Sequence, residues 1–150
     1  MALEKVEPLV TEYDVLLGFT TYAGPIRSKF LIELRDNKRI TGTRCPACHQ
    51  VYVPAKPNCI KCQASLDEWV NVSDKGTLVT YAVVRSPDPL YPKEAPFAYG
   101  IIKLADADTG IVHFLGETDL EKIKTGMRVQ AVFKEERTGS ILDIDYFKPI

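Results

Sequence analysis

Cys45-Pro46-Ala47-Cys48-His49-Gln50-Val51-Tyr52-Val53-Pro54-Ala55-Lys56-Pro57-Asn58-Cys59-Ile60-Lys61-Cys62 holds every cysteine of the chain, as two Cys-x-x-Cys pairs. A turn of that kind presents two thiolates at the separation a tetrahedral Zn²⁺ takes, and two such knuckles close the coordination shell. The spacing predicts a structural zinc ribbon with Cys45, Cys48, Cys59 and Cys62 as ligands. No position is left open for a substrate, which argues against metal catalysis.

Three other uses of these cysteines make different demands. A redox dithiol uses one Cys-x-x-Cys beside a βαβ pattern, and none surrounds either pair. Disulfides suit an exported chain, whereas Met1-Ala2-Leu3-Glu4-Lys5 does not read as a charged-then-apolar signal. Cys45-Pro46-Ala47-Cys48-His49 also satisfies the Cys-x-x-Cys-His haem-attachment pattern. That chemistry would leave Cys59 and Cys62 without a role, and a Soret band would reveal it.

The composition is that of a soluble globular protein: 150 residues, 45% hydrophobic and 26% charged. With 19 basic and 20 acidic residues the net charge is −1, so no bulk field draws the chain to nucleic acid or an anionic membrane. No apolar run approaches the ~18 residues of a membrane span. Thiols held as metal ligands point to the cytoplasm. Between Asn37 and Leu66 there is no acidic residue, while Lys38, Arg39, Arg44, Lys56 and Lys61 are basic. The cluster reads either as a phosphate-binding patch or as local compensation for a Zn²⁺–tetrathiolate centre of charge −2.

The chain divides into three stretches. Residues 1–40 form a lead-in, with apolar Val6-Glu7-Pro8-Leu9 and Val15-Leu16-Leu17-Gly18-Phe19. Pro25 can open a short helix whose Ile26, Phe30 and Leu34 share one face, with Gly42 ending the pattern. That stripe packs on its own domain or docks on a partner. Residues 41–69 make the ribbon, with strands at Val51–Pro54 and Glu68–Val70 and with Trp69 packing it against the C-terminal stretch. So short a segment cannot bury enough apolar surface to fold alone, and structural zinc, worth ~10–16 kcal/mol in comparable peptides, becomes a condition of its folding. Residues 70–150 read as strands at Gly76–Val84, Phe97–Leu104, Gly110–Leu115, Met127–Phe133 and Ile141–Phe147. A short helix over Asp119–Lys124, ended by Gly126, falls between the third and fourth. This is the order of an OB-fold barrel.

Several runs together now carry a family likeness. They are Phe30-Leu31…Arg39-Ile40…Arg44-Cys45-Pro46-Ala47-Cys48 and Val53-Pro54…Cys59-Ile60-Lys61-Cys62, then Gly76-Thr77-Leu78, Pro96-Phe97-Ala98-Tyr99-Gly100 and Gly126-Met127-Arg128-Val129. From Gly24 to Ile150 the chain resembles the thiolase-associated zinc-ribbon/OB-fold family, long filed as a domain of unknown function. The resemblance implies a mainly β protein: a helical lead-in, a rubredoxin-like zinc ribbon and a five-stranded OB-fold barrel. It also implies a non-catalytic subunit of an acyltransferase complex, hetero-oligomeric with a thiolase or related condensing enzyme. Coenzyme A or an acyl-CoA would lie at their interface. On that reading Arg44, Lys56 and Lys61 are candidates for the coenzyme A phosphates. Leu90 and Tyr91, in the proline-rich Ser86–Pro96 loop, are candidates for the partner interface, as are Phe30 and Leu34. Two features depart from the family. His49 stands where glycine is usual, at a turn that tends to need positive φ. The lead-in before Gly24 is longer and more apolar, which suits a partner-docking arm.

Thiolysis needs a cysteine nucleophile and histidine acid–base chemistry. This chain has no cysteine outside the ribbon, and its histidines are His49 and His113. Lys124-Thr125-Gly126 is a β-lactamase fragment without its S-x-x-K partner, and no phosphate loop, H-E-x-x-H or G-x-S-x-G is present. Activity in this chain alone is not expected. The alternative is a single-stranded nucleic-acid-binding protein, since ribbons and OB barrels both serve there. It calls for aromatics interleaved with cations, whereas Tyr81, Phe97, Tyr99, Phe114 and Phe133 lie among aliphatic neighbours with Lys103 the only strand-centre cation near them, and core packing explains most of them.

Overall fold

The computed structural model describes Gly18 and residues 20–150. The lead-in segment expected to act as a docking arm lies, apart from Gly18, outside the described residues up to Phe19. Helix α1 (Gly24–Asn37) begins with proline in its first turn, where the missing N–H costs nothing. It stops before Gly42. Lys38 takes the left-handed conformation (φ 51°) and returns its N–H to the Glu33 carbonyl, after which the β-branched Ile40-Thr41 pair starts a strand. Phe30 and Leu34 are 2% and 0% exposed, inside one apolar cluster with Ile40, Val72 and Leu78. They are therefore spent on the chain's own core, each burial worth about 1.5–3 kcal/mol, and drop out as docking residues.

The ribbon is a three-stranded antiparallel sheet of order β2-β1-β3, built from β1 (Ile40–Arg44), β2 (Val51–Tyr52) and β3 (Glu68–Val72). Gly42 is where β1 passes closest to β2. A Cβ there would meet the Tyr52 carbonyl oxygen at 2.7 Å, so glycine serves close approach and not helix termination. Trp69 is half-buried against the common core, and Lys29 of α1 lies 4.3 Å over its ring.

Five strands close the barrel in the order β4-β5-β6-β8-β7: β4 (Lys75–Val84), β5 (Phe97–Leu104), β6 (Gly110–Leu115), β7 (Arg128–Phe133) and β8 (Ile144–Pro149). The β6–β8 seam is parallel and pairs only Leu115 with Phe147. In β5 burial alternates nearly residue by residue, the period-2 signature of a strand with one face to the core.

Two local expectations are corrected. The segment Asp119–Lys124 is a turn and not a helix. Asp119 accepts from the Glu121 N–H with its carboxylate and from the Lys122 N–H with its carbonyl, an alternative to helical pairing that suits aspartate. Ile141–Asp143 is a 3₁₀ turn, and β8 starts after it. The Asp143 carboxylate accepts the N–H groups of Thr138, Gly139 and Ser140, which folds the chain back before the strand begins.

The β5–β6 connection binds the barrel to the ribbon. Val51 donates its N–H to Asp108 Oδ2 (2.8 Å) and accepts the Asp108 N–H (2.9 Å). Thr109 Oγ1 accepts the Val53 N–H (2.8 Å) and donates to the Val53 carbonyl (2.9 Å). These two residues fasten the free edge of β2 and the residue after it, mainly through their side chains, and helix, ribbon and barrel share one core.

Candidate metal centre and barrel face

Each knuckle is built in the same way. Cys45 N–H bonds the Gln50 carbonyl and His49 N–H bonds the Cys45 carbonyl; in the second knuckle Cys59 N–H bonds Ala64 and Gln63 N–H bonds Cys59. The residue after each second cysteine, His49 or Gln63, sits at φ 60°. This is the positive φ expected at His49, a conformation L-residues adopt at some cost. His49 is exposed and lies outside the ligand set.

The four sulfurs all lie within 4.8 Å of one another, with Cys45–Cys62 at 3.4 Å and Cys48–Cys59 at 3.6 Å. Zn–S bonds of about 2.3 Å in a tetrahedron require sulfurs about 3.8 Å apart, so the cage fits the ion. Backbone N–H groups of Cys48 and Cys62 point at the sulfurs of Cys45 and Cys59. The Tyr52 hydroxyl stands 3.2 Å from Cys59 Sγ and accepts the Ile60 N–H. That hydroxyl is the chief influence drawing the Cys59 thiol down to about 6. Cys62 is pushed up to about 12: the Ala64 N–H favours its thiolate, but contacts with Cys45 and Cys59 outweigh it. Four touching sulfurs cannot all ionise unaided, and a divalent cation removes the conflict. A small cluster of Cys45, Tyr52, Cys59 and Leu66 underlies the centre.

The basic cluster divides. Arg44 pairs with Glu68 at 3.0 Å and Lys38 with Glu135 at 3.6 Å, so carboxylates from outside the acid-free stretch neutralise part of the cluster. Lys56 borders a cavity of about 610 Å³ with Arg27, between the start of α1 and the second knuckle. Lys61 is exposed on that knuckle. Leu90 is 89% exposed at the tip of the Ser86–Pro96 loop and Tyr91 is partly exposed beside it.

His113 is buried, with Nδ1 accepting the Phe114 N–H and Nε2 against the Ile141 carbonyl. That pattern makes Nε2 the donor and fixes a neutral ring. Burial, the leading cause, holds its pKa below the ordinary histidine value. Both nitrogens are engaged, so the ring has no free base. Of the five aromatics, most of them expected in the core, Phe97 is buried and Phe114 and Phe133 are half-buried, whereas Tyr81 and Tyr99 look outward. The sequence reading missed Tyr52, Asp108 and Thr109. Only the repeated position after each knuckle, His49 and Gln63, carried a sequence signal.

Comparison with known proteins matches the same two units. Residues 33–67 fit the family model of the ChsH2 rubredoxin-like zinc ribbon, and residues 69–134 that of the ChsH2 C-terminal OB-fold domain. A DUF35 domain-containing scaffold protein of Methanocaldococcus jannaschii is 31% identical over 134 residues, 83% of this chain and 94% of that protein. Its namesake in Pyrococcus furiosus is 28% identical over 127 residues, 82% of this chain and 92% of that protein. Among solved structures, a chain of an Ltp2-ChsH2(DUF35) aldolase superposes with a TM-score of 0.62 at 24% identity, covering 81% of this chain and 93% of that one. A DUF35-family protein of unknown function from Sulfolobus solfataricus gives 0.64 at 19% identity, covering 85% and 87%. At these identities the two structures speak to the fold.

Proposed function

Since the chain belongs to the family of DUF35-domain scaffold proteins that join a ChsH2-type zinc ribbon to an OB-fold barrel, we propose that it is the non-catalytic, zinc-stapled subunit of a thiolase-type acyl-CoA complex. It docks on the catalytic chain and borders that chain's coenzyme A channel. The observation that carries this reading is the allocation of its reactive groups. All four cysteines form the metal cage and His113 is buried with both nitrogens bonded, so neither a thiol nucleophile nor a histidine base is left at the buried sites. The relatives' name, scaffold protein, agrees with such a division of labour. The similar solved chain belongs to an aldolase, and aldol and thiolase reactions both make or break a carbon–carbon bond beside a carbonyl.

The Leu90-Tyr91 tip is the proposed anchor, held on a stiff proline-rich loop that loses little entropy on docking. Lys56 and Lys61 are the proposed phosphate contacts, and Arg44 joins them by exchanging Glu68 for a phosphate. Co-expression with a thiolase-type enzyme encoded nearby, then native mass spectrometry with and without acetyl-CoA, tests the assembly. A zinc-bound hetero-oligomer is expected, weakened in a Leu90→Ser/Tyr91→Ser variant. A chain that stays alone beside every such enzyme refutes the scaffold role. Unchanged acyl-CoA turnover in a Lys56→Ala/Lys61→Ala complex refutes the phosphate assignment.

A further inference from the structure

The outer face of the barrel carries a second cavity, of about 410 Å³, with a less polar lining than the one beside Lys56. It opens between the Ser86–Pro96 loop, strands β5 and β6, and the 3₁₀ turn before β8. OB barrels bind ligands at this place, over their second and third strands and between the two flanking loops. The size falls in the ~300–1,000 Å³ range of small-molecule pockets.

Its walls specify the occupant. Tyr91, Phe97 and Phe114 form a chain of edge-to-face contacts with centroids 5.8 and 5.6 Å apart, and Tyr99 completes the aromatic lining. Val112 and Leu142 supply aliphatic sides. Such walls favour a planar ring, whose faces and edges meet aromatic edges and faces. A cation stands at its rim: Lys93, which lines the neighbouring loop cavity with Asp88 and Glu94, has its Nζ 5.5 Å from the Phe114 ring and 5.7 Å from Tyr146. Among the described residues no carboxylate pairs with it. His113 lines the cavity but has both nitrogens bonded, so it adds surface without polarity.

We propose that this cavity is a binding site for a small ring-bearing carboxylate, its ring against Tyr99 and Phe114 and its anionic group at Lys93. Tyr91 is shared with the proposed partner anchor, but the contacts assigned to the ring are Tyr99 and Phe114 and the variants tested below spare Leu90 and Tyr91, so failure of this site would leave the scaffold role standing. A base of single-stranded nucleic acid could also stack on such aromatics, but a backbone needs a track of cations, and among the described residues the lining itself holds no lysine or arginine, with Lys93 at its rim over Phe114.

The zinc-loaded full chain is titrated with 2-naphthoate by amide NMR, with hexanoate, 2-naphthol and a short oligothymidylate as comparisons. Saturable shifts are expected at Tyr91, Tyr99, Val112, Phe114 and Leu142, with hexanoate about fivefold weaker or worse. Val112 is 60% exposed, so Val112→Glu keeps the fold while placing a like charge in the cavity, and should weaken 2-naphthoate about tenfold or more. Lys93→Met should weaken 2-naphthoate about three- to fivefold and leave 2-naphthol unchanged. The proposal is overturned if 2-naphthoate shifts none of these amides, or if both variants bind it like the wild type. It is overturned equally if oligothymidylate shifts them more tightly, with a steep loss on adding salt.

Discussion

Replacing Thr109 by valine removes one oxygen and almost no volume, which isolates the clamp between barrel and ribbon. In the native protein that oxygen accepts the Val53 N–H and donates to the Val53 carbonyl, at 2.8 and 2.9 Å. Val53 is 1% exposed, so water cannot replace either bond without opening the core. Each backbone group left bare costs about 1–3 kcal/mol, so the pair loses about 2–6 kcal/mol. At this chain length, about 3 °C per kcal/mol, the melting temperature should fall by about 6–18 °C. Urea unfolding of the zinc-loaded chain reads the loss, through the fluorescence of Trp69, the only tryptophan. Thr109→Ser keeps the hydroxyl and should lose less than about 1 kcal/mol. Val53 comes directly after β2, so chelator-driven zinc release should be faster in Thr109→Val. A Thr109→Val protein within about 0.5 kcal/mol of wild type, or a serine variant that falls as far as the valine one, would refute the clamp.

Tyr52→Phe removes the hydroxyl from Cys59 Sγ and should lower zinc affinity about 10- to 100-fold, the usual scale for such supporting groups; competition against a coloured chelator measures it, and unchanged affinity contradicts the role. His113 is held below the ordinary histidine pKa by burial. Below about pH 6.5 the unfolded chain therefore takes up a proton that the folded chain refuses, and stability falls with pH by up to ~1.4 kcal/mol per unit. His113→Gln cannot titrate, so its urea stability should drop less than wild type between about pH 7 and about pH 5.5; parallel drops reject the assignment. His49→Gly relieves a side chain held at φ 60° and should stabilise the zinc form by about 0.5–1 kcal/mol in thermal melts. A destabilised glycine variant would mean that the imidazole makes a contact of its own.

The sequence alone determined the metal centre, because a Cys-x-x-Cys turn sets its own ligand separation within a few residues and every cysteine falls in that pattern. It determined most barrel strands as well, since alternation along β5 and β6 is a local property, and it placed Phe30 and Leu34 on one helix face. The surface that face packs against was not written there. The left-handed turn at Lys38 was equally hidden, because lysine carries no signal for positive φ as glycine would, and Gly42 misled for being needed at a close strand crossing instead.

Only the tertiary structure decided how these parts act together. Asp108 and Thr109 meet Val51 and Val53 from more than fifty positions away, Arg44 finds Glu68, and the aromatic cavity gathers residues of three strands, a loop and a 3₁₀ turn. Contacts of that kind depend on barrel closure and on which edge faces which. No local period or composition encodes that geometry, so the ligands of the zinc can be read along the chain while the surfaces they hold in place cannot.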